Sequence, residues 1–165
     1  MKKFIVMIML LLPLGLVAQE IKIAYVNAGE VINAMPEVSA METELAALKA
    51  QYQNYLKNLY DDYTQKNTDL IAQQDSLTEN ILKMRVQEIQ DLRDRIENYQ
   101  QMAEQEQQDK YEKLYTPIIE KFQKAVEQVG DENGYTYILN PQALLYTSKS
   151  AINATDKVKA KLGLQ

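Results

Sequence analysis

The stretch PEVSAMETELAALKAQYQNYLKNLYDDYTQKNTDLIAQQDSLTENILKMRVQEIQDLRDRIENYQQMAEQEQQDKYEKLYTP, residues 36–117, decides the fold. Between Pro36 and Pro117 there is no Gly and no further Pro. The interior is built mostly from good or tolerated helix formers. Apolar residues recur every three or four positions: Val38, Met41, Leu45, Leu48, Tyr52, Tyr55 or Leu56, Leu59, Tyr63, Leu70 and Leu77, then Ile81 or Leu82, Ile89, Leu92, Ile96, Tyr99 and Ala103. That is a single buried stripe at coiled-coil spacing. One helix of this length would reach about 120 Å at 1.5 Å per residue. Nothing else in the chain can pack along such a rod, so the stretch folds back on itself or finds partner chains.

Folding back is favoured. The stripe lapses only at Ala72-Gln73-Gln74-Asp75-Ser76, where small polar residues gather. Ser76-Leu77-Thr78-Glu79 fits a capping box, in which the Ser hydroxyl and the Glu carboxylate satisfy free amides at a helix start. The expectation is a helical hairpin with its tip at Gln73–Ser76 and arms of roughly 60 Å. The alternative is a continuous helix in a multi-chain coil, because the same spacing also occurs inside helices.

Outside the hairpin, Ile21 to Val26 reads as a strand, and a short helix follows to about Ala34. The second arm keeps its stripe beyond Pro117 through Ile118, Phe122, Val126 and Val129, so a helix bent near Pro117 is expected to reach about Val129. Gly130 and Gly134 should end it. Tyr135–Leu139 and Ala143–Tyr146 read as a second and a third strand, and Asn153 or Thr155 as the cap of a last helix from about Thr155 to Leu162. The expected fold is thus α+β and predominantly α: a long antiparallel helical hairpin on a small three-strand body. Three short strands with apolar faces leave exposed edges, and oligomerisation would cover them.

The start of the chain carries a basic pair, Lys2 and Lys3, then an apolar run from Phe4 to Val17 and a small residue at Ala18. This pattern reads as a signal peptide over residues 1–18, with an uncleaved membrane anchor as the alternative. Export would leave a single unit from residue 19, with a body of 19–35 and 130–165 and a helical tentacle of 36–129.

The chain has no Cys and no His. Disulfides, cysteine nucleophiles and histidine acid–base chemistry are therefore excluded. There is no glycine-rich phosphate loop. No catalytic residue, metal ligand or cofactor site is assigned, and Asp61-Asp62 or Glu104 with Glu106 read as a solvated helix face. Residues 36–117 hold 9 basic and 16 acidic side chains, a net charge of −7. That balance argues against nucleic acid and against an anionic membrane surface, both of which reward Lys and Arg. The hairpin holds seven of the eleven tyrosines. Tyr55, Tyr60, Tyr63 and Tyr99 are candidates for client contact, since tyrosine pairs a large apolar face with a polar tip. Ile23, Val26, Ile138, Leu139 and Leu144 are the candidate oligomer core.

Lys22-Ile23-Ala24-Tyr25-Val26-Asn27 after a signal sequence, the long hairpin, Tyr137-Ile138-Leu139, Ala143-Leu144-Leu145-Tyr146 and Ile152-Asn153-Ala154-Thr155-Asp156-Lys157-Val158 together resemble the Skp/OmpH family of periplasmic chaperones. The two ends carry the specific part of the resemblance. It implies a homotrimer, with a body of strands from three chains and helical tentacles around a cavity that holds unfolded outer-membrane proteins. The implied function is ATP-independent holding of those proteins in the periplasm, without enzymatic activity. A periplasmic coiled-coil scaffold or adaptor is the other reading. The acidic tentacle departs from the basic tentacles of the best-known members.

Overall fold

A computed structural model describes residues 21–164. The expected signal peptide lies outside the described residues. Strand β1 (Ile23–Tyr25) leads into helix α1 (Ala28–Asn33). Helix α2 (Pro36–Gln73) and helix α3 (Glu79–Asn133) form the hairpin, joined by a 3-10 turn at Gln74–Ser76. Strand β2 (Tyr137–Leu139), a 3-10 turn (Pro141–Ala143), strand β3 (Ile152–Asn153) and helix α4 (Thr155–Lys161) complete the chain. The hairpin expectation holds, and its tip falls where the stripe lapses.

Local chemistry explains the boundaries. Asn27 caps α1 by accepting a hydrogen bond from the Glu30 amide at 3.3 Å. Pro36 opens α2 in the first turn, where its missing amide is not needed. At the far end of α3, Gly134 adopts a left-handed conformation with φ 63°. The amides of Tyr135 and Gly134 bond back to the carbonyls of Gly130 and Asp131, which is the Schellman closure. Gly130 itself lies inside the helix, so Gly134 alone ends it, four residues beyond the expected Val129. Pro117 lies within the same unbroken helix.

Two further expectations are corrected. The second arm does not start at Ser76. It starts at Glu79 with Thr78 as the capping position, and the Ser76 hydroxyl donates to the Gln73 carbonyl at 2.8 Å. Ser76 thus closes the turn instead of capping the helix. The third strand is not Ala143–Tyr146. Ala143 ends a 3-10 turn and Leu144 to Tyr146 lie off the sheet, while Ile152–Asn153 takes the place beside β1. The Asn153 carboxamide accepts from the Thr155 amide at 2.9 Å and so shapes the start of α4.

The sheet is parallel throughout, in the order β2-β1-β3. Ala24 pairs with Ile138 on one side and with Ile152 on the other. One core joins Ala24, Val26, Val31, Ala125, Val129, Ala154 and Val158, packing the sheet against the end of α3 and against α4. A second cluster of Met35, Val38, Met41 and Ile118 closes the root of the hairpin. A third, of Leu59, Leu92 and Ile96, sits midway along the arms.

Gly134 gives a direct test. A side chain in the left-handed region costs about 1–2 kcal/mol. Gly134→Val should therefore lower the urea midpoint by that amount of stability. An unchanged midpoint would mean that the helix ends differently in solution.

Candidate functional site

The long hairpin carries a tyrosine girdle at mid-height. Tyr52 and Tyr99 meet edge to face at 5.9 Å between ring centroids, and Tyr55 tilts over Tyr99 at 4.4 Å. The antiparallel register places these rings opposite one another, since Tyr52 and Tyr55 rise on α2 while Tyr99 descends on α3. The Tyr52 hydroxyl donates to the Glu106 carboxylate across the seam. The Arg95 guanidinium donates to the Tyr55 hydroxyl and also lies 5.9 Å from the Tyr55 ring centroid. Tyr52 is only 7% exposed. The hydrogen bond to the Glu106 carboxylate, with burial behind it, pushes the Tyr52 hydroxyl up to about 12. Burial raises Tyr99 as well, helped by the nearby Tyr55 and Glu106.

The four candidate contact tyrosines separate in this frame. Tyr55, Tyr63 and Tyr99 are half-buried against the Leu59, Leu92 and Ile96 cluster and take part in joining the arms. Tyr60 is 45% exposed, and its hydroxyl accepts from the Gln100 carboxamide at 2.9 Å. The candidate oligomer residues separate too. Val26 is buried in the chain's own core and Ile138 packs against it. Ile23, Leu139 and Leu144 are exposed, in company with Tyr137, Leu145 and Tyr146. The sequence reading missed Tyr146, which is 81% exposed, and the Tyr52–Glu106 and Tyr55–Arg95 pairs. Those pairs depend on the register between the arms, which is fixed only when the turn is placed to the residue.

Among the described residues, no group of three or more acidic, His or Cys side chains is placed to hold a metal ion. No helix among them is long and apolar enough to cross a membrane. Asp61 pairs with Lys57 one turn away, and Glu106 is engaged by Tyr52. What the arrangement presents is an elongated surface of shallow grooves, mixed in apolar and polar lining, above a small body with an exposed apolar flank.

The family model described as outer membrane protein (OmpH-like) matches residues 22–162. The chain belongs to the OmpH-like family. No curated protein matches it. Among solved structures, a candidate outer membrane chaperone (OmpH-like) from Caulobacter crescentus CB15 superposes with a TM-score of 0.74 at 14% identity. The superposition covers 85% of this chain and 82% of that one. At that identity the likeness is one of fold: this OmpH-like chain shares the long hairpin set on a small body.

The girdle generates a pH dependence. Folding holds Tyr52 and Tyr99 protonated above the usual tyrosine range, near 10. The stability they contribute is fully present below about pH 10 and is lost as pH rises towards the Tyr52 value of about 12. Stability measured by urea unfolding should fall across that window, and Tyr52→Phe should flatten the fall. An identical pH profile in the variant would remove Tyr52 as its source.

Proposed function

We propose that this OmpH-like chain is an ATP-independent holdase that keeps unfolded outer-membrane proteins from aggregating in the periplasm. The observation that carries the reading is the hairpin surface. Two arms joined along a single seam leave Tyr60, Ile71, Val86, Met84, Met102 and Tyr111 exposed along their length. Side chains of this kind offer adaptable apolar contact to an unfolded chain. They are spread along the hairpin, with Tyr60 and Tyr111 in separate shallow grooves, and are not gathered in one deep pocket, as weak capture of many sequences requires. Membership of the OmpH-like family, and the shared fold with a candidate chaperone, support the same reading.

The holdase acts as a homotrimer on this reading. A three-strand parallel sheet leaves β2 and β3 as edges. Ile23, Tyr137, Leu139, Leu144, Leu145 and Tyr146 add an exposed apolar flank beside them. Unpaired edges and contiguous apolar surface are both liabilities in a monomer, and sister chains would cover them. Native mass measurement with and without an unfolded outer-membrane barrel protein tests both steps. A trimer that takes up one client supports the reading, and a stable monomer that leaves the client to aggregate overturns it.

The charge of the hairpin sets how clients are held. Residues 36–117 carry a net −7. Three such tentacles repel an acidic client at long range, and exposed charges are screened beyond about 8 Å at physiological salt. Short-range apolar and aromatic contact is left to supply the affinity. Fluorescence anisotropy with a labelled acidic client should therefore show affinity that is flat or rising with added salt. A steep fall would assign the binding to attraction between opposite charges.

A further inference from the structure

The two faces of the hairpin differ in chemistry, and the difference picks out one of them. In an α-helix, residues eleven apart return to the same face after about three turns, and residues eighteen apart after about five. Glu37 and Leu48, Met41 and Tyr52, Glu106 and Pro117, and Lys110 and Lys121 are all eleven apart. The grooves they line therefore share one face. Arg95 is eleven from Glu106 and Lys66 eighteen from Leu48, so a third groove near the tip continues it. This face holds the ionic links between the arms: Glu37 with Lys121, Glu44 with Lys110 at 2.5 Å and Lys66 with Glu88 at 3.6 Å. The Tyr52–Glu106 and Tyr55–Arg95 hydrogen bonds fall on it as well. Its three grooves are lined by twelve charged side chains, seven acidic and five basic.

The opposite face is defined by two grooves. One holds Tyr60, Tyr63, Ile96 and Gln100, the other Leu45, Lys49, Gln107 and Tyr111. Lys49 and Tyr60, Arg93 and Glu104, and Gln100 and Tyr111 are each eleven apart, so the two are continuous. The same spacing adds Ile71 beyond Tyr60 and Val86 beyond Glu97, both more than half exposed. Among the described residues, the hydrogen bond that bridges the arms here is neutral, from the Gln100 carboxamide to the Tyr60 hydroxyl. The two grooves carry four charged side chains, two of each sign: Lys49, Arg93, Glu97 and Glu104. Met84 and Met102 are exposed on the charged face instead, Met84 three turns from Arg95 and Met102 three turns from Asp91 and Lys113.

We infer that the neutral face, running from Ile71 through Tyr60 and Gln100 to Lys49 and Tyr111, is the surface that receives the client, and that its occupant is one extended transmembrane-strand segment of an unfolded outer-membrane barrel protein. The inference rests on the holdase reading and deepens it. Charge decides between the faces. Covering the other face would desolvate the three ion pairs that join the arms, whereas the neutral face carries one pair within a single helix, Arg93 with Glu97, whose side chains are more than half exposed already. The neutral face has balanced charge and presents amides and tyrosine hydroxyls, which can meet a strand's backbone while Tyr60, Ile71, Val86 and Tyr111 meet its apolar side chains. Length agrees as well. Lys49 to Ile71 spans about 33 Å at 1.5 Å per residue. A transmembrane strand of about 10 residues has that length at about 3.3 Å per residue.

Site-specific photocrosslinking in the full mature protein tests this. A photoreactive residue is placed at Tyr60 or Tyr111 on the neutral face, and at Lys66 or Lys113 on the charged face. Each variant is mixed with one purified barrel protein diluted from urea. Crosslinks to the client should come several-fold more strongly from Tyr60 and Tyr111. In parallel, the Tyr60→Glu, Tyr111→Glu double variant, checked for unchanged helicity, should bind the client about tenfold more weakly, the equivalent of about 1.4 kcal/mol. Lys113→Glu, which makes a charge change on the other face without touching the ion pairs that join the arms, should leave affinity unchanged. Equal yields from both faces, or yields led by Lys66 and Lys113, overturn the face assignment while wild-type suppression of client aggregation keeps the holdase reading. Crosslinks from Tyr60 and Tyr111 to a second copy of this chain would make the neutral face a subunit contact and overturn it too. Failure of the wild type to suppress aggregation removes the holdase reading and the face assignment with it.

Discussion

Met35 sits at the junction on which the molecule depends. It is 1% exposed and packs with Val38, Met41 and Ile118 where α1 gives way to the hairpin. Strand β1 is three residues long and pairs with β2 more than a hundred residues later. A parallel pairing of that separation requires the chain to leave the body and return to one place. The root cluster enforces the return by fixing where α2 departs and where α3 passes back. The arms are unequal for the same reason, since α3 has 55 residues and α2 has 38. The excess of α3 lies past the root, where Ala125 and Val129 enter the body core and deliver the chain to β2. Strands this short are marginal by themselves, so the sheet is held by the helix end as much as by its own ladder.

Away from the root the seam changes character. Small apolar clusters alternate with tyrosines and polar bridges, and the ion pairs between the arms are only partly buried. Exposed pairs contribute little stability. Their effect is on register: Glu37 with Lys121, Glu44 with Lys110 and Lys66 with Glu88 are satisfied together in one alignment of the arms. Slipping one arm by a turn would break all three and would also separate Tyr52 from Glu106. The seam therefore specifies a single hairpin without a thick core, which a pair of helices cannot build.

The hairpin was legible because its signal is local and repeated over some eighty positions. Its turn was legible to within about three residues, since a lapse in the stripe marks a region while the exact cap depends on which hydroxyl finds which amide. Thr78 and Ser76 both suit a helix start, and the Ser76 hydroxyl bonds to Gln73 instead. The sheet was less legible. Ala143–Tyr146 has strand composition, yet strand propensity reports fit to a half-buried surface and not a backbone preference. The place beside β1 is filled by Ile152 and Asn153, two residues too few to give any periodic signal. What selects them is position: they directly precede α4, whose Val158 is wholly buried in the body core and draws them alongside. At the candidate site, the single tyrosines could be named from composition. Which of them join the arms and which face outward could not, because that follows from the register.

The asymmetry between the two faces bears on how a holdase can release what it holds. On the proposed holdase reading, capture runs on binding alone, and its free energy has to remain small enough for a folding barrel to outcompete it. A deep apolar pocket that buries most of its ligand would work against this. The hairpin offers shallow grooves in series, each supplying a tyrosine or an aliphatic side chain together with amide groups. A segment leaving one groove exposes little apolar surface before the next contact loosens, so release proceeds in small steps. The acidic charge acts in the same direction. Part of it is bridged between the arms on one face, and the excess that gives residues 36–117 a net −7 disfavours association with anionic surfaces; on the proposed reading, the short-range contacts then set how long a client stays.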